Sequence, residues 1–462
     1  MILSLGELAG VVHGATPHAQ ISVTGLSTDT RTLQPGDIYV ALKGERFDGH
    51  DFVRQAQEKG ASAVIVADTF DPEYRGPALR VSDTLVALQL IAADWRSRFT
   101  IPVIAVAGSN GKTTTTQMLA KLLGHLGDVH ATQGTLNNHI GVPLTLLGIR
   151  SHHRAAVIEI GANHPGEVAH LTTLVKPTIG LVTNAGAEHL EGFGSIAGAA
   201  RAEGELFEWL GPQALGVINL DDAYVDIWRQ QAKNTSLRSF SLRHSADVQL
   251  SSEIHVDVKQ QRFSVRVDDQ PYEVCLPLAG SHNVANALAA MAAATAVGVP
   301  MQAIVTALAQ IAPVKGRLQF KSTATGGVLI DDSYNANPSS VTAALQVLMQ
   351  QPPPRGVILG GMGELGEQSV LAHEQVGREA RQLGVQWLWT VGGDAKYASQ
   401  SFGSPSRHFD NVESLIQSSQ RELPAFGSVL VKGSRFNRLE RVVDGLINIG
   451  VSTAGVAACS TI

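Results

Sequence analysis

Two glycines precede a Lys-Thr pair in Gly108-Ser109-Asn110-Gly111-Lys112-Thr113, directly after the apolar run Val103-Ile104-Ala105-Val106-Ala107. A strand, a glycine turn and a helix start in that order can cradle a polyphosphate. The glycines admit the anion to the backbone, the helix N-terminus offers N–H groups and its positive dipole end, Lys112 adds a point charge, and Thr113 offers a hydroxyl to Mg²⁺. The expected ligand is ATP, with Gly108, Ser109, Asn110, Gly111, Lys112, Thr113 and Thr114 as its contacts. The longer form of this loop has a glycine five positions before Gly111, where Val106 stands. This is therefore the shorter form, and the competing reading is a glycine-rich turn ahead of a chance Lys-Thr.

Other groups with chemistry to offer end further apolar runs. Glu159 closes Ala156-Val157-Ile158, Thr183-Asn184 closes Ile179-Gly180-Leu181-Val182, His189 follows on a loop, and Glu203 lies on the helix-like stretch after it. Strand ends of an open parallel sheet share one crevice, so these groups should meet the phosphate loop, and Glu159, His189 and Glu203 could form a second metal site. Taken singly, a loop histidine is usually a surface hydrogen-bonder and a helical glutamate is usually solvated. Asn283, in Gly280-Ser281-His282-Asn283, suits a purine edge or a helix cap equally. Further on, Arg317, Asp332 and Lys432 sit at strand ends or in loops; Asp332 could bond ribose hydroxyls, and Arg317 or Lys432 could neutralise phosphate. Asn335-Ala336-Asn337-Pro338 also reads as a turn.

The elements that must position these groups fall into three segments of a 462-residue α/β chain. Residues 1–82 carry short strand-like runs between Pro-Gly and Asp-Gly turns, as in a small α/β domain. Residues 83–312 alternate buried strands with helices, the doubly wound pattern of a central ATP-binding domain. Within them, residues 246–277 alternate apolar and polar side chains, as antiparallel strands do, and an Ala-rich helix follows from Asn283. Residues 313–462 repeat the strand–helix alternation as a C-terminal Rossmann-like domain, ending in a weakly patterned tail.

Composition excludes several classes. Charged residues make up 16% and the net charge is −6, so no basic field would hold a nucleic acid or an anionic membrane. No run of about 20 apolar residues would span a bilayer. The two cysteines, Cys275 and Cys459, are too few for a disulfide framework and fit a reducing, cytoplasmic setting.

The ordered set Thr28-Asp29-Thr30-Arg31, Ala41-Leu42-Lys43-Gly44, Leu136-Asn137-Asn138-His139, Glu159-Ile160-Gly161-Ala162-Asn163, Ala187-Glu188-His189-Leu190-Glu191-Gly192, Asp332-Ser333-Tyr334-Asn335 and Lys432-Gly433-Ser434-Arg435 resembles the Mur ligase family over nearly the whole chain. That resemblance implies an N-terminal domain for the UDP end of a sugar nucleotide, a central ATPase, and a C-terminal domain that binds the amine substrate. It implies an ATP-dependent ligase adding D-alanyl-D-alanine to UDP-MurNAc-tripeptide through an acyl phosphate, in peptidoglycan precursor synthesis, acting as a monomer with Mg²⁺. By the same resemblance Lys112 meets the β- and γ-phosphates, Thr113 holds one Mg²⁺, and Glu159 with His189 holds another. Asn283 becomes the adenine contact, and Arg317 and Asp332 serve ribose and phosphates. Thr30, Arg31, Lys43 and Gly44 fall in the uridine-nucleotide region. Asn137, Asn138, Asn335, Asn337 and Lys432 are expected to contact substrate. The alternatives are the sibling ligase that adds the third residue, which often carries an Asp-Asn-Pro-Arg motif not found here, and folylpolyglutamate synthase. One departure stands out. Most family members carry a carbamylated lysine three residues before the Leu/Ile-aromatic pair of that helix, and here counting back from Leu206-Phe207 reaches Glu203. Glu203 would then supply genetically the charge that the carbamate supplies elsewhere.

Overall fold

Val103–Ala107 is buried along its whole length, with Val103, Ala105 and Ala107 in one apolar cluster and Ile104 and Val106 in another. That is what a strand covered on both faces requires. The structure is a computed structural model that describes residues 3–45, 47–257, 260–323 and 326–447. Cys459 and the tail after 450 lie outside the described residues.

The central sheet runs, from one edge, Val129–Ala131, Ala155–Glu159, Val103–Ala107, Ile179–Val182, Leu215–Asn219, Ser236–Ser241 and Val248–Leu250, each parallel to its neighbour. Gln261–Val267 then pairs antiparallel with Val248–Leu250 and with Gln270–Leu276. The antiparallel extension expected over 246–277 is present, except that its first strand, Val248–Leu250, stays parallel to the strand before it. Two helices cover the face that Ile104 and Val106 present. Lys112–Leu123 brings Met118, Leu119 and Leu122, and the Ala-rich helix Ser281–Ala296 brings Ala287, Leu288 and Met291. Alanines let this second helix seat close to the first.

The N-terminal part has a four-stranded parallel sheet of Gly25–Ser27, Asp37–Val40, Ala63–Ala67 and Ala78–Val81. Its Ile38, Ile65 and Leu79 share an apolar cluster with Leu88 and Ile91 of the helix Thr84–Ser97 and with Ala156 and Leu174 of the central part. In the C-terminal sheet, Gln319–Ser322 runs antiparallel to Val328–Asp332, and then Ser428–Lys432, Arg355–Gly360, Trp387–Val391 and Ser406–Phe409 follow in parallel. The register of Val328–Asp332 against Ser428–Lys432 sets Asp332 beside Lys432 at the C-terminal ends of both strands.

Candidate active site

The turn after Val103–Ala107 needs its glycines. Gly108 and Gly111 have φ of +116° and +86°, where L side chains are strained, and a Cβ on them would collide with Thr183 Oγ1 and Asn286 Oδ1 respectively. The loop is pinned from the neighbouring strand end. Ser109 N–H donates to Asn184 O (2.8 Å), Asn110 N–H donates to Asn184 Oδ1 (3.1 Å), and Thr183 Oγ1 and Asn184 Nδ2 donate to Asn110 O (2.7 and 2.8 Å). Thr115 N–H returns to Gly111 O (2.8 Å), so the N–H groups of Lys112, Thr113 and Thr114 are those that a helix start leaves for an anion.

Three carboxylates surround Lys112. Its Nζ donates to the loop carbonyls of Gly108 (2.5 Å) and Ser109 (3.1 Å) and lies 3.4 Å from Glu188 Oε2. Burial pulls the ammonium pKa down, but Glu188, Glu203 and Glu159 outweigh it and hold the group above its ordinary value. Glu188 also meets His189 Nε2 (3.2 Å), whose Nδ1 meets Glu364 Oε2 (2.7 Å) from the C-terminal part. Burial disfavours the imidazolium, yet these two carboxylates raise its pKa to about 9. Glu159 is buried at the end of its strand and accepts from Asn137 Nδ2 (2.8 Å).

The C-terminal part supplies the opposite wall. Arg317 Nη2 donates to Thr113 Oγ1 (3.1 Å), and its guanidinium stacks 4.4 Å from the Tyr334 ring. Asp332 is engaged on both oxygens: Oδ1 accepts from Leu318 N–H (3.1 Å) and Oδ2 from buried Lys432 Nζ (2.6 Å), which also donates to Asn335 O (2.9 Å). Asn337 caps the helix Pro338–Met349 by accepting from Ser340 N–H (2.9 Å), and its Nδ2 reaches Asn110 Oδ1 (2.9 Å) on the phosphate loop. Asn337 thus lines the cleft as the N-cap of a helix, where the sequence suggested a turn. Asn283 lies in the cleft and its Nδ2 donates to Ala279 O (2.7 Å), but the helix Ser281–Ala296 has Gly280 as its N-cap and no side-chain cap bond, so the cap expected of Asn283 is not formed. The cleft between the walls measures about 810 Å³, room for a nucleotide and part of a substrate.

Of the residues expected in the site, Ser109 to Thr114, Asn137, Asn138, Glu159, His189, Asn283, Arg317, Asp332, Asn335, Asn337 and Lys432 line this cleft. Asn138 faces it while its Oδ1 accepts from Gly141 N–H (2.8 Å) at the start of the helix Gly141–Leu147. Glu203 does not line the cleft. It is buried beneath the loop, where Oε2 accepts from Gly108 N–H (2.7 Å), and burial, with Glu188 nearby, raises its pKa to about 7. Among the described residues no three His, Cys, Asp or Glu are arranged to hold a metal, so the metal cluster expected of Glu159, His189 and Glu203 is not formed. The physical reason is pairing: both His189 nitrogens face carboxylates and Glu203 is spent on the loop backbone. The donors that suit Mg²⁺ are the oxygens of Thr113, Glu159 and Glu188, too few for a protein cage but suited to an ion that arrives with phosphates.

Thr30, Arg31, Lys43 and Gly44 lie outside the cleft. Arg31 pairs with Asp29 (2.6 Å) and Lys43 approaches Asp48 (3.9 Å), both cations exposed; Thr30 Oγ1 donates to Gln55 Oε1 (2.9 Å), and Gly44 N–H donates to Phe47 O (2.9 Å). The sequence reading passed over Glu188, Glu364, Asn286 and Ser339. Glu188 could have been found from its place beside His189; Glu364 and Ser339, on another segment, gave no local signal.

Three family models match in chain order: "Mur ligase family, catalytic domain" over residues 22–96, "Mur ligase middle domain" over 106–294, and "Mur ligase, glutamate ligase domain" over 316–435. The UDP-N-acetylmuramoyl-tripeptide–D-alanyl-D-alanine ligase of Escherichia coli (strain K12) is 39% identical over 450 residues, 96% of this chain and 98% of that protein. The chain belongs to the Mur ligase family. This Mur ligase is also 36% identical to the enzyme of the same description from Haemophilus influenzae, over 92% of the chain and 94% of that protein. A crystal structure of MurF from Acinetobacter baumannii superposes with a TM-score of 0.90 at 36% identity, covering 97% of this Mur ligase and 99% of that chain. The three-part α/β architecture expected of the family is therefore present in this Mur ligase.

Proposed function

We propose that this protein is the ligase that joins D-alanyl-D-alanine to UDP-MurNAc-tripeptide, with ATP converted to ADP and phosphate. The observation that carries the reading is a phosphate loop facing Arg317, Asp332 and Lys432 across one cleft, in a chain whose relatives over nearly its full length bear that ligase's name. A carboxylate is a poor electrophile until it carries a leaving group. The tripeptide carboxylate attacks the γ-phosphorus and ADP leaves. The dipeptide amine then attacks the acyl carbon, loses a proton, and expels phosphate.

Each wall has a share in this. The loop N–H groups and Lys112 bind the phosphates and offset the charge of the approaching carboxylate. Arg317, beside Thr113, adds a second cation from the C-terminal side. Mg²⁺, when bound with the nucleotide, supplies charge neutralisation at the transferring phosphoryl group, held by Thr113 and Glu159. Asp332, held by its pairing with Lys432, frames the ribose side, and Lys432 with Asn335 and Asn337 borders the dipeptide. Asn137 fixes the Glu159 carboxylate. Exposed Arg31 and Lys43, with Thr30 and Gly44, form the uridine-nucleotide end, remote from the chemistry. The division at 82/83 and 312/313, a monomeric state and a cytoplasmic place complete the proposal.

The deciding experiment follows phosphate release from Mg-ATP with UDP-MurNAc-tripeptide and D-alanyl-D-alanine, omitting each in turn. Release that needs all three, with a UDP-MurNAc-pentapeptide product, is expected. Release that needs UDP-MurNAc-dipeptide and a free diamino acid instead would assign the step before it.

A further inference from the structure

Glu188 is the one carboxylate that both lines the cleft and touches the phosphate-loop lysine among the described residues. Glu159 also lines the cleft but is tied to Asn137, and Glu203 lies beneath the loop on Gly108 N–H. The Glu188 carboxylate sits 3.4 Å from Lys112 Nζ and 3.2 Å from His189 Nε2, so it takes up the positive charge that an incoming phosphate would claim. A nucleotide must either displace this carboxylate or bind beside it. In a site closed off from water, a neighbouring like charge costs far more than at the surface.

We infer that Glu188 is a binding-site residue that makes nucleotide affinity depend on a divalent cation: its charge opposes phosphates that arrive bare and is screened when they arrive with Mg²⁺. The inference rests on the nucleotide binding at this loop proposed above. Glu364 is the internal contrast. It pairs with His189 at 2.7 Å, yet it is more than half exposed and is not a partner of Lys112.

The test is equilibrium binding of ADP to the full-length protein by calorimetry, in EDTA and in Mg²⁺, for wild type, Glu188→Gln, Glu188→Asp and Glu364→Gln. Glutamine keeps the shape and an acceptor for Lys112 while losing the charge. Expected is ADP binding in EDTA about tenfold tighter for Glu188→Gln, with a matching fall in the ratio of affinities with and without Mg²⁺. Glu188→Asp, which keeps the charge, should retain the wild-type ratio, and so should Glu364→Gln. An unchanged ratio in Glu188→Gln with a wild-type melting temperature overturns the inference, as does an equal shift in Glu364→Gln. Should Glu188→Gln fail to fold, Glu188→Ala gives the same comparison. Wild type that binds no ADP in either buffer overturns the nucleotide-binding reading itself, which separates that failure from this one.

Discussion

Glu203 shows how a single residue's surroundings change its role. In sequence it stands where a carboxylate-bearing lysine is expected, yet its side chain turns under the loop to receive Gly108 N–H rather than entering the cleft. Burial raises its pKa to about 7, above the ordinary glutamate value of 4.5, so the folded state holds a proton that the unfolded chain releases earlier. Its contribution to stability is therefore fully present below pH 4.5 and is lost as the pH rises towards 7. Glu203→Gln should remove this slope: unfolding midpoints followed from pH 4.5 to 7.5 should fall less in the variant than in wild type. Parallel curves would show that Glu203 stays ionised in the fold. Legibility in the sequence differs residue by residue. Lys112, Thr113 and Glu159 were legible as cleft-lining residues because each lies at or just beyond the end of an apolar strand. The pairing of His189 with Glu364 needed two segments 175 positions apart to meet, and no local pattern encodes that.

At the scale of elements, the loop–helix junction and the helix that faces it set the site's shape. Gly111 combines a positive φ with a side-chain position already filled by Asn286 of the Ala-rich helix. Gly111→Ala should therefore weaken ADP binding at least tenfold and lower the melting temperature, because the added Cβ must push the two helices apart. Binding within twofold of wild type would mean the loop adapts freely. Across the cleft, Asn337 both caps Pro338–Met349 and reaches Asn110. Two substitutions separate these roles. Asn337→Ala should cost about 1 kcal/mol of stability through the lost cap, whereas Asn337→Asp keeps the cap acceptor and loses only the donor to Asn110. Thermal melts that fall equally in both variants would assign the stability to the Asn110 contact instead. The strands and several helices were readable, since doubly buried strands are continuous apolar runs and helices such as Thr84–Ser97, Ile196–Glu208 and Val412–Glu422 carry side-chain caps at Asp83, Ser195 and Asn411.

For the whole molecule, the cleft exists only where separate parts meet. Arg317 on Thr113, Asn337 on Asn110 and Glu364 on His189 bridge the C-terminal part to the central one. The bridges at Thr113 and Asn110 involve groups that a bound nucleotide and cation would compete for, so occupancy should change how the parts sit. Small-angle scattering with a non-hydrolysable ATP analogue, Mg²⁺ and UDP-MurNAc-tripeptide is expected to give a profile different from that of the free protein. Superimposable profiles would mean that the bridged arrangement already is the working one.

The sequence alone determined the α/β class, the phosphate loop and the order of the motifs, because strand burial, glycine turns and helix starts are local properties written in neighbouring residues. Only the tertiary structure decided which carboxylate meets the loop lysine. Glu188, Glu159 and Glu203 are equally acidic in the sequence, but the packing of the loop, the helix Ile196–Glu208 and the C-terminal part ties one to Asn137, turns another under Gly108 and leaves Glu188 against Lys112. Direction of a side chain at a junction of three elements depends on contacts between residues far apart in the chain, and those are settled only when the chain folds.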